Sequence, residues 1–469
     1  MKPIKQITIV SLALAALITP PCIAGKIFVD LIIRNGTVIT MHDNKQIIED
    51  GAVAIKGSTI IAVGSATKLS KHYKAKKTIN ANGGVIMPGF INGHTHAAMT
   101  LLRGLGDDLP LKDWLEKCIW PAERRHVTPD FVYWGTKLAC YEMIAAGTTT
   151  FVDMYYFEEE AARAASQMGM RAILGQTVVN GSTPDSKTPQ QALDRARSFI
   201  EQWQGNPLIT PAVAPHAPYS CSKKTLQGAH MLATEYHIPL LTHLAESKTE
   251  TKHMLKRSGM RPVAYCNELG LLNDSLIAAH CVHLTLHEIA LLAQQQVGVV
   301  HAPVSNMKLS SGIAPVCAML KYGVMVGLGT DGAASNNSQD IVAEMKTAAL
   351  LQKVDTGNPT SLSAYQALEM ATIGGARAIH MDKQIGSLQA GKKADIIIVA
   401  MDTMHQLPVY NVVSQLVYAT KASDVQTVII NGTVIMANRV IGTAHERDEL
   451  KRNVATLRSR IKPKERVLV

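Results

Sequence analysis

Residues 84–384 alternate apolar strand patterns with amphipathic helix patterns, and this alternation constrains the fold more than any other feature of the 469-residue chain. Parallel strands cannot be joined by tight turns, so a crossover helix follows each strand. Eight apolar runs have the length and composition of buried strands: 85–92, 148–154, 171–179, 209–215, 239–243, 276–280, 297–301 and 323–331. Eight strand–helix units predict an α/β fold, a (β/α)8 TIM-type barrel.

The two ends of the chain carry near copies of one β element. Asn35-Gly-Thr-Val-Ile39 lies in an apolar run, and Asn431-Gly-Thr-Val-Ile435 repeats it near the other end. Asn-Gly between apolar runs predicts a hairpin turn, because both residues tolerate positive φ. We therefore expect residues 25–83 and 385–446 to form one composite β-sandwich domain, with the barrel domain, 84–384, inserted between its halves. Residues 447–469 are charged and predict a C-terminal helix or tail.

The first 24 residues have the pattern of a secretory signal peptide. Lys2 and Lys5 precede an uncharged apolar run at residues 7–18, and a small-residue stretch follows and ends at Ala24. This run is short for a membrane span, which needs about 20 residues. Cleavage after Ala24 predicts an exported, periplasmic protein with no stable membrane insertion once the signal is removed. An uncleaved membrane anchor and a cytoplasmic protein are the alternatives.

The charge distribution and the cysteine positions exclude some classes of partner and of metal site. The formal net charge is +10, and residues 446–469 hold eight Lys/Arg against four Asp/Glu. No basic run is interleaved with aromatic residues, so no nucleic-acid partner is expected. The seven cysteines include no Cys-x-x-Cys pair, and Cys140 and Cys281 lie in apolar patterns typical of buried free thiols. We expect neither a disulfide framework nor a thiolate metal site.

Residues that can bind a metal follow most of the predicted strands. They are His94 and His96, His216, His243 and Glu246, His280, His301, and Asp331. In a barrel the carboxyl ends of the strands meet at one face, where active sites are built. Residues two apart on an extended chain point the same way, so His94 and His96 offer two imidazoles to one point. Each residue alone could be a packed or solvated side chain, but together they predict a metal centre.

Several motifs around these residues resemble those of a known family. They are Pro88-Gly-Phe-Ile-Asn-Gly-His-Thr-His96, Ala97-Ala-Met-Thr-Leu-Leu-Arg-Gly104, Ile119-Trp-Pro-Ala-Glu123, His216-Ala-Pro-Tyr219, Thr242-His-Leu-Ala-Glu246, His280-Cys-Val-His283, Ser305-Asn-Met-Lys-Leu309 and Gly329-Thr-Asp331. With them, residues 28–440 resemble the amidohydrolase superfamily and, within it, the 5′-methylthioadenosine/S-adenosylhomocysteine deaminases.

The resemblance implies a metal site. His94, His96, His243 and Asp331 would bind one divalent ion, zinc in the first place, with Fe2+ as the alternative. Relatives with two metals use a carboxylated lysine at the end of strand 4. Here that strand ends at Pro215 and is followed by His216, so a single ion is favoured.

The resemblance also implies catalytic and substrate-binding roles. Asp331 would take a proton from water, Glu246 would protonate the ring nitrogen and shuttle protons, and His280 would steady the tetrahedral intermediate. Glu123 would accept hydrogen bonds from ribose hydroxyls, and His216 would touch the base or sugar; Glu246 and Asp331 also contact the substrate. For Glu123 a solvated helix end, and for Glu246 a surface carboxylate, stay as alternatives.

The implied function is hydrolytic deamination of an adenosine derivative (5′-methylthioadenosine, S-adenosylhomocysteine or adenosine) to the inosine analogue and ammonia. An aminohydrolase or chlorohydrolase of another N-heterocycle, such as guanine, a pterin or a triazine, is the alternative, although Glu246 favours deamination. The family often has an arginine near position 176 that helps to bind the substrate, whereas this chain has Gly175-Gln-Thr177 there. The preferred 5′ substituent therefore stays open. A non-catalytic binding or structural protein with the same barrel is a third possibility. Because relatives commonly form oligomers, a homo-oligomer is also possible. We expect His283, His287 and His301 to lie behind the metal ligands or at the surface. Of the three, His301 is the one we favour for contact with a ligand.

Overall fold

The computed structural model describes residues 26–42 and 45–461. The strands are β1 Ile27–Ile39, β2 Ile47–Lys56, β3 Thr59–Ser65, β4 Tyr73–Asn80, β5 Val85–Pro88, β6 Phe90–Thr95, β7 Thr148–Tyr155, β8 Arg171–Val178, β9 Ile209–Pro215, β10 Leu240–Leu244, β11 Leu276–His280, β12 Gly298–His301, β13 Met325–Leu328, β14 Ile396–Val399, β15 Val425–Ile430, β16 Thr433–Ala437 and β17 Val440–Ile441. The predicted signal peptide with its cleavage site, and residues 462–469, lie outside the described residues.

The helices occupy the connections between these strands. They are α1 Ala66–His72, α2 Leu111–Asp113, α3 Trp120–His126, α4 Pro129–Ala145, α5 Glu158–Gln167, α6 Pro189–Trp203, α7 Lys223–Tyr236, α8 Lys248–Ser258, α9 Pro262–Glu268, α10 Leu286–Gln294, α11 Pro303–Lys308, α12 Val316–Lys321, α13 Ala333–Asn336, α14 Ile341–Thr356, α15 Ala364–Met370, α16 Ile373–Ala378, α17 Val412–Tyr418 and α18 Ala444–Arg460. Short 3-10 helices span Ala97–Leu102, Met404–Gln406 and Ala422–Asp424, and a π-helix spans Trp114–Ile119.

Strands β6 to β13 form one parallel eight-stranded sheet in chain order, as the strand–helix alternation predicts. Hydrogen bonds bring its two edge strands together. Thr330 N donates to Asn92 Oδ1 at 2.9 Å, and Asp331 N donates to the carbonyl of His94 at 2.9 Å. The barrel is therefore nearly closed, and the residues that follow β13 lie beside the histidine at the end of β6.

One predicted strand is wrong. Residues 85–92 are two strands: β5 belongs to the sheet formed by the chain ends, and only β6 enters the barrel. Gly89 separates them, and a Cβ at Gly89 would lie 2.1 Å from Thr149 Cγ2, so the chain can change sheets only where no side chain is present. Both strands are buried, which is why their apolar pattern is continuous and periodicity alone does not separate them.

The chain ends form a second, mixed sheet in the order β17-β16-β15-β14-β5-β1-β2-β3, with β4 paired to β1. One hydrophobic cluster joins its two halves, because it contains Ile33 from β1 together with Ile86 and Ile396 from β5 and β14. Residues of the opposite parity, Met87 and Ile397, pack into the barrel core instead. The sheet thus packs one face on its own core and part of the other face on the barrel.

The repeated Asn-Gly sequence forms two different structures. Asn431 and Gly432 have φ values of 51° and 79°, and Ile430 pairs with Thr433, which makes the predicted two-residue hairpin turn. At Asn35 the φ value is 61°, yet β1 continues as a bulged strand and changes its parallel partner from β4 to β5. The hairpin predicted there is wrong, because pairing with two distant strands overrides the local turn preference.

A buried ion pair joins the two sheets. Arg171 donates from Nε to Asp395 Oδ2 at 2.7 Å and from Nη2 to Asp395 Oδ1 at 3.1 Å, and each side chain is only 3% exposed. Asn431 N donates to the same carboxylate at 2.7 Å. Because Arg171 begins β8, this contact lies at the amino end of the barrel strands, opposite the face where their carboxyl ends meet.

The six cysteines of the described ranges are free thiols, with Cys140 and Cys281 buried as predicted. Across residues 26–42 and 45–461, no helix combines the length and the apolar composition that crossing a membrane requires. Helix α18 covers much of the charged C-terminal segment.

Candidate active site

Three histidines and one aspartate meet at the carboxyl face of the barrel. Nε2 of His94 and Nε2 of His96 lie 3.5 and 3.3 Å from Asp331 Oδ1. Nε2 of His243 lies 3.3 Å from Nε2 of His96. Two ligands of a tetrahedral zinc ion, each at about 2.0–2.1 Å from it, are about 3.4 Å apart. The four residues predicted as ligands are therefore together, at separations that fit one ion.

Backbone carbonyls orient two of these rings. Nδ1 of His96 lies 2.7 Å from the carbonyl oxygen of Met154, and Nδ1 of His243 lies 2.7 Å from that of His216. Because a carbonyl only accepts, each Nδ1 carries a proton and each Nε2 is directed to the site. Nε2 of His94 is buried without a hydrogen-bond partner among the described residues. Imidazoles and a carboxylate arranged in this way suit a divalent metal.

Asp331 is held by its neighbours and by an unusual backbone conformation. Its φ is 64°, a left-handed value that non-glycine residues adopt mainly where the surroundings enforce it. Oδ2 accepts hydrogen bonds from Ser305 Oγ at 2.6 Å and from Ser335 Oγ at 2.9 Å, and Oδ1 accepts one from Gly332 N at 2.7 Å. The two serines occupy Oδ2, so Oδ1 is the oxygen that faces the histidines.

The same carboxylate attracts protons to the imidazoles. Burial lowers the pKa of His94 to about 4, despite its contact with Asp331. For His96 burial acts in the same direction, but the hydrogen bond and the charge of Asp331 outweigh it and raise the pKa to about 9. Burial would raise the pKa of Asp331, yet the two histidines hold it well below its usual range. A metal ion entering this site therefore competes with a proton on His96.

His280 and Glu246 lie next to the four predicted ligands. Nε2 of His280 is 4.0 Å from Glu246 Oε2, and its Nδ1 is 2.9 Å from Asn306 Oδ1. Ser311 Oγ donates a long hydrogen bond of 3.4 Å to Glu246 Oε1. Burial raises the pKa of Glu246 above its ordinary value. A buried carboxyl group with few hydrogen bonds is suited to hold a proton and release it.

A second buried glutamate, Glu250, positions Glu246. Its Oε2 accepts from the backbone N of Glu246 at 2.7 Å, and its Oε1 accepts from Ala245 N at 3.1 Å. Ala245 has a φ of 52°, so the loop between β10 and α8 is held in a conformation it would not adopt freely. Sequence reasoning missed Glu250, although Ser247, which caps α8, and Glu250 three residues later form a recognisable capping pattern.

Glu123 is buried in the same cavity, with 4% of its surface exposed. Tyr155 Oη donates a hydrogen bond of 2.8 Å to Glu123 Oε1, and burial raises the pKa of this carboxyl group to about 7. The solvated helix end considered for Glu123 is therefore wrong. His216 also faces this cavity, with Nδ1 2.8 Å from Ser220 Oγ, and burial lowers its pKa to about 4.

The candidate active site is a narrow cavity of about 60 Å3 that opens into a wider one of about 620 Å3. The narrow part is lined by His96, Glu123, Tyr155, His216, His243, Glu246, His280 and Asp331, with apolar walls from Met99, Trp114, Ile119 and Met154. Both parts share Leu111, Leu115, Trp120, Tyr219, Glu246 and Leu309. The wider part has polar walls that include Lys112, Glu116, Lys248 and His283. A ring held in the narrow part would leave its substituents in the wider part.

Three further side chains were considered from the sequence. Both ring nitrogens of His301 are buried and without hydrogen-bond partners in the described part of the chain, and its contact with a metal ligand stays a prediction. Gln176 donates from Nε2 to Asp185 Oδ2 at 2.7 Å and is fully buried. His283 lines the wider cavity, and its Nε2 lies 2.6 Å from the carbonyl oxygen of Ser311.

Comparison with known proteins identifies the family. The model of the Amidohydrolase family matches residues 85–435, which include all eight strands of the barrel. The chain belongs to the amidohydrolase family. This confirms the assignment made from the motifs.

Curated relatives of this amidohydrolase have similar lengths and one shared name. A protein of Syntrophobacter fumaroxidans named 5-methylthioadenosine/S-adenosylhomocysteine deaminase is 47% identical over 439 residues, which are 94% of this chain and 100% of the relative. A protein of Syntrophus aciditrophicus with the same name, numbered 1, is 46% identical over 434 residues, 92% of this chain and 98% of the relative.

Solved structures also resemble this amidohydrolase. An adenosine deaminase of Xanthomonas campestris with bound zinc superposes with a TM-score of 0.91 at 38% identity, covering 93% of this chain and 99% of the other. Escherichia coli guanine deaminase superposes with a TM-score of 0.79 at 24% identity, covering 87% and 99%. The second likeness shows the fold alone. Together they confirm the predicted α/β fold with its barrel; the predicted β-sandwich of the chain ends is one mixed sheet.

Proposed function

We propose that this amidohydrolase is a hydrolytic deaminase of adenosine derivatives, which converts 5′-methylthioadenosine, S-adenosylhomocysteine or adenosine to the inosine analogue and ammonia. The observation that carries the proposal is the pairing of Glu246 and His280 with Glu123 in one cavity. The first two can move protons at a heterocycle, and the third can bind the hydroxyls of a sugar. The names of the relatives and of the zinc-containing Xanthomonas enzyme support the same substrate class.

We propose that His94, His96, His243 and Asp331 hold one divalent metal ion, zinc in the first place and Fe2+ as the alternative. The ligand separations of 3.3–3.5 Å and the unpartnered Nε2 of His94 support this assignment. A bound ion would supply the Lewis acidity that turns water into a nucleophile near neutral pH.

The side chains of the site account for the proton transfers that deamination requires. Asp331 is ionised at neutral pH and accepts a proton as water adds to the amino-bearing carbon. Glu246, with its raised pKa, gives a proton to the neighbouring ring nitrogen and passes on a second proton to the departing ammonia. His280, whose Nδ1 is held by Asn306 Oδ1, hydrogen-bonds the attacking oxygen and steadies the tetrahedral intermediate. Water is consumed, the carbon–nitrogen bond breaks, and a carbonyl group remains.

Glu123 and His216 supply binding rather than chemistry. An ionised Glu123 accepts hydrogen bonds from two vicinal hydroxyls of a ribose, which a free purine, a pterin or a triazine does not have. His216 contacts the base or sugar from the wall of the same cavity. A ribose-binding carboxylate therefore favours a nucleoside over the other heterocycles. We place the 5′ substituent in the wider cavity, because that cavity shares Leu111, Trp120 and Tyr219 with the narrow part.

A substrate panel tests this function. Metal-loaded protein is incubated with 5′-methylthioadenosine, S-adenosylhomocysteine, adenosine, guanine and a chlorotriazine, and ammonia or chloride release is measured. We expect ammonia from at least one of the three nucleosides with a higher kcat/KM than from guanine. Silence on all three nucleosides would refute the proposed substrate class.

The variant Glu246→Gln tests the proton shuttle. Glutamine keeps the shape of the side chain and its hydrogen bonds but cannot transfer a proton, so kcat should fall about 10²- to 10⁴-fold while KM changes little. Glu268→Gln, an exposed residue on α9, is the matched control and should leave both constants unchanged. Unchanged turnover in Glu246→Gln would remove Glu246 from the mechanism.

We also propose that the protein is exported to a periplasm by the signal at residues 1–24. The support is the order of Lys2 and Lys5, an apolar run and small residues in the sequence. Cell fractionation followed by N-terminal sequencing tests it. A mature chain that begins at Gly25 is expected, whereas Met1 or Lys2 at the start of the cellular protein would contradict cleavage.

A further inference from the structure

The mixed sheet formed by the chain ends, called the small sheet below, has a strongly basic edge that plays no part in the candidate active site. Residues 66–80, which form α1 and β4, contain five lysines and no Asp/Glu. The basic edge consists of five exposed lysines on α1 and β4: Lys68, Lys71, Lys74, Lys76 and Lys77. Within the described ranges β4 pairs with β1 alone, so these lysines surround a strand with one free side.

Two apolar side chains are exposed beside the lysines. Ile27 is 53% exposed and Phe28 is 62% exposed. Phe28 is in register with Lys74, whose Nζ lies 5.6 Å from the centroid of its ring. Asp30, the nearby acidic group on β1, is already engaged by Lys76 at 2.8 Å. The remaining lysines therefore present uncompensated positive charge around an exposed aromatic ring.

We propose that the basic edge, together with Ile27 and Phe28, docks on the surface of an anionic lipid bilayer. Lysines close to such a surface are attracted by its negative potential, and a neighbouring aromatic side chain enters the interface. Lys26 directly precedes Ile27 and Phe28, so the basic edge lies where the mature chain proposed above begins.

Two other roles fit this surface less well than docking on a bilayer: preventing the sheet edge from pairing with another copy, and binding a nucleic acid. A lysine-rich edge strand discourages pairing between copies of a protein, but that role does not call for Ile27 and Phe28 to be exposed. A nucleic acid would also be attracted to the lysines. A single exposed phenylalanine, however, offers no row of rings on which successive bases could stack.

Docking through the basic edge is compatible with turnover. The small sheet contacts the barrel at Arg171, at the amino end of β8, whereas the cavity opens among residues at the carboxyl ends of the strands. No lysine of the basic edge lines either part of the cavity. Variants of these lysines should therefore leave catalytic constants unchanged.

Vesicle co-sedimentation of the mature chain, residues 25–469, tests the proposal. Binding to phosphatidylcholine vesicles is compared with binding to vesicles that also contain phosphatidylglycerol, at low and at high salt. The test variant is K68Q/K71Q/K74Q/K77Q. The matched control is K223Q/K224Q/K252Q/K256Q, which removes the same charge from exposed lysines of α7 and α8.

We expect tighter binding to the anionic vesicles, and weakening by salt. Near an anionic surface each lysine contributes about five-fold to partitioning, so the test variant should bind several hundred-fold more weakly, at unchanged activity. The control should stay close to the parent protein. Equal binding to both kinds of vesicle, an equal loss in the control variant, or tighter lysine-dependent binding to duplex DNA than to anionic vesicles would each overturn the proposal.

Discussion

Removing one hydroxyl group, in Tyr155→Phe, tests whether Glu123 binds the sugar as a carboxylate. Tyr155 Oη is the hydrogen-bond donor to Glu123 Oε1 at 2.8 Å, and both side chains are almost completely buried. The pKa of Glu123 is about 7, because burial raises it and the hydrogen bond from Tyr155 limits the rise. The ionised form, which accepts hydrogen bonds from ribose, therefore predominates only above pH 7.

The size of the effect follows from the lost hydrogen bond. A hydrogen bond to a charged group contributes about 1.5–3 kcal/mol, and one pKa unit corresponds to about 1.4 kcal/mol. The pKa of Glu123 in the variant should therefore rise by about one to two units, to about 8–9. Because the raised pKa favours the protonated form, riboside binding by the variant should weaken as pH falls through this higher range. Just above pH 7, KM should be about 10-fold higher than in the parent protein, while kcat changes less.

The assay is the pH dependence of KM for adenosine, with 2′,3′-dideoxyadenosine as the control substrate. The control substrate lacks the two hydroxyls, so its KM should respond little to the substitution. Tyr156→Phe is the matched control variant, since Tyr156 lines the same cavity and Tyr155, not Tyr156, supplies the hydrogen bond to Glu123. A pH profile for adenosine that is identical in Tyr155→Phe and the parent protein would refute the argument.

Two further predictions concern the ion pair that joins the two sheets and a hydroxyl group that supports the site. Arg171→Met should lower the free energy of unfolding by about 3–5 kcal/mol, because it leaves Asp395 buried without its cation. The exposed pair of Arg197 and Glu235 makes Arg197→Met the control, whose urea-unfolding midpoint should stay close to that of the parent protein because solvent screens the pair; equal midpoints for the two variants would contradict this. Ser305→Ala should weaken zinc binding about 10- to 100-fold in calorimetric titration, since Ser305 holds Asp331 Oδ2. An affinity within two-fold of the parent value would show that this hydroxyl does not orient the carboxylate.

Much of the site could be predicted because its signals are local. The alternation of strands and helices reports the barrel, and the ends of barrel strands must meet at one face. His94 and His96 are two residues apart on one strand, so their shared direction follows from backbone geometry. The strand-end positions placed His243 and Asp331 in a larger set that also held His216, His280 and His301, and the family resemblance selected the four ligands from that set.

The structure was needed where distant segments compete with local preferences or meet without a pattern. Asn35 and Asn431 stand in nearly the same sequence, yet only the second forms a hairpin, because β4 and β5 occupy successive parts of β1. Likewise, the hydrogen bond from Tyr155 to Glu123 joins a strand to a helix 32 residues away. By itself the sequence determined the barrel, the family and the set of ligand candidates, since these follow from periodicity and motif. Only the tertiary structure decided which side chains and backbone groups form hydrogen bonds with the site residues. These partners are selected by packing and leave no periodic pattern in the sequence.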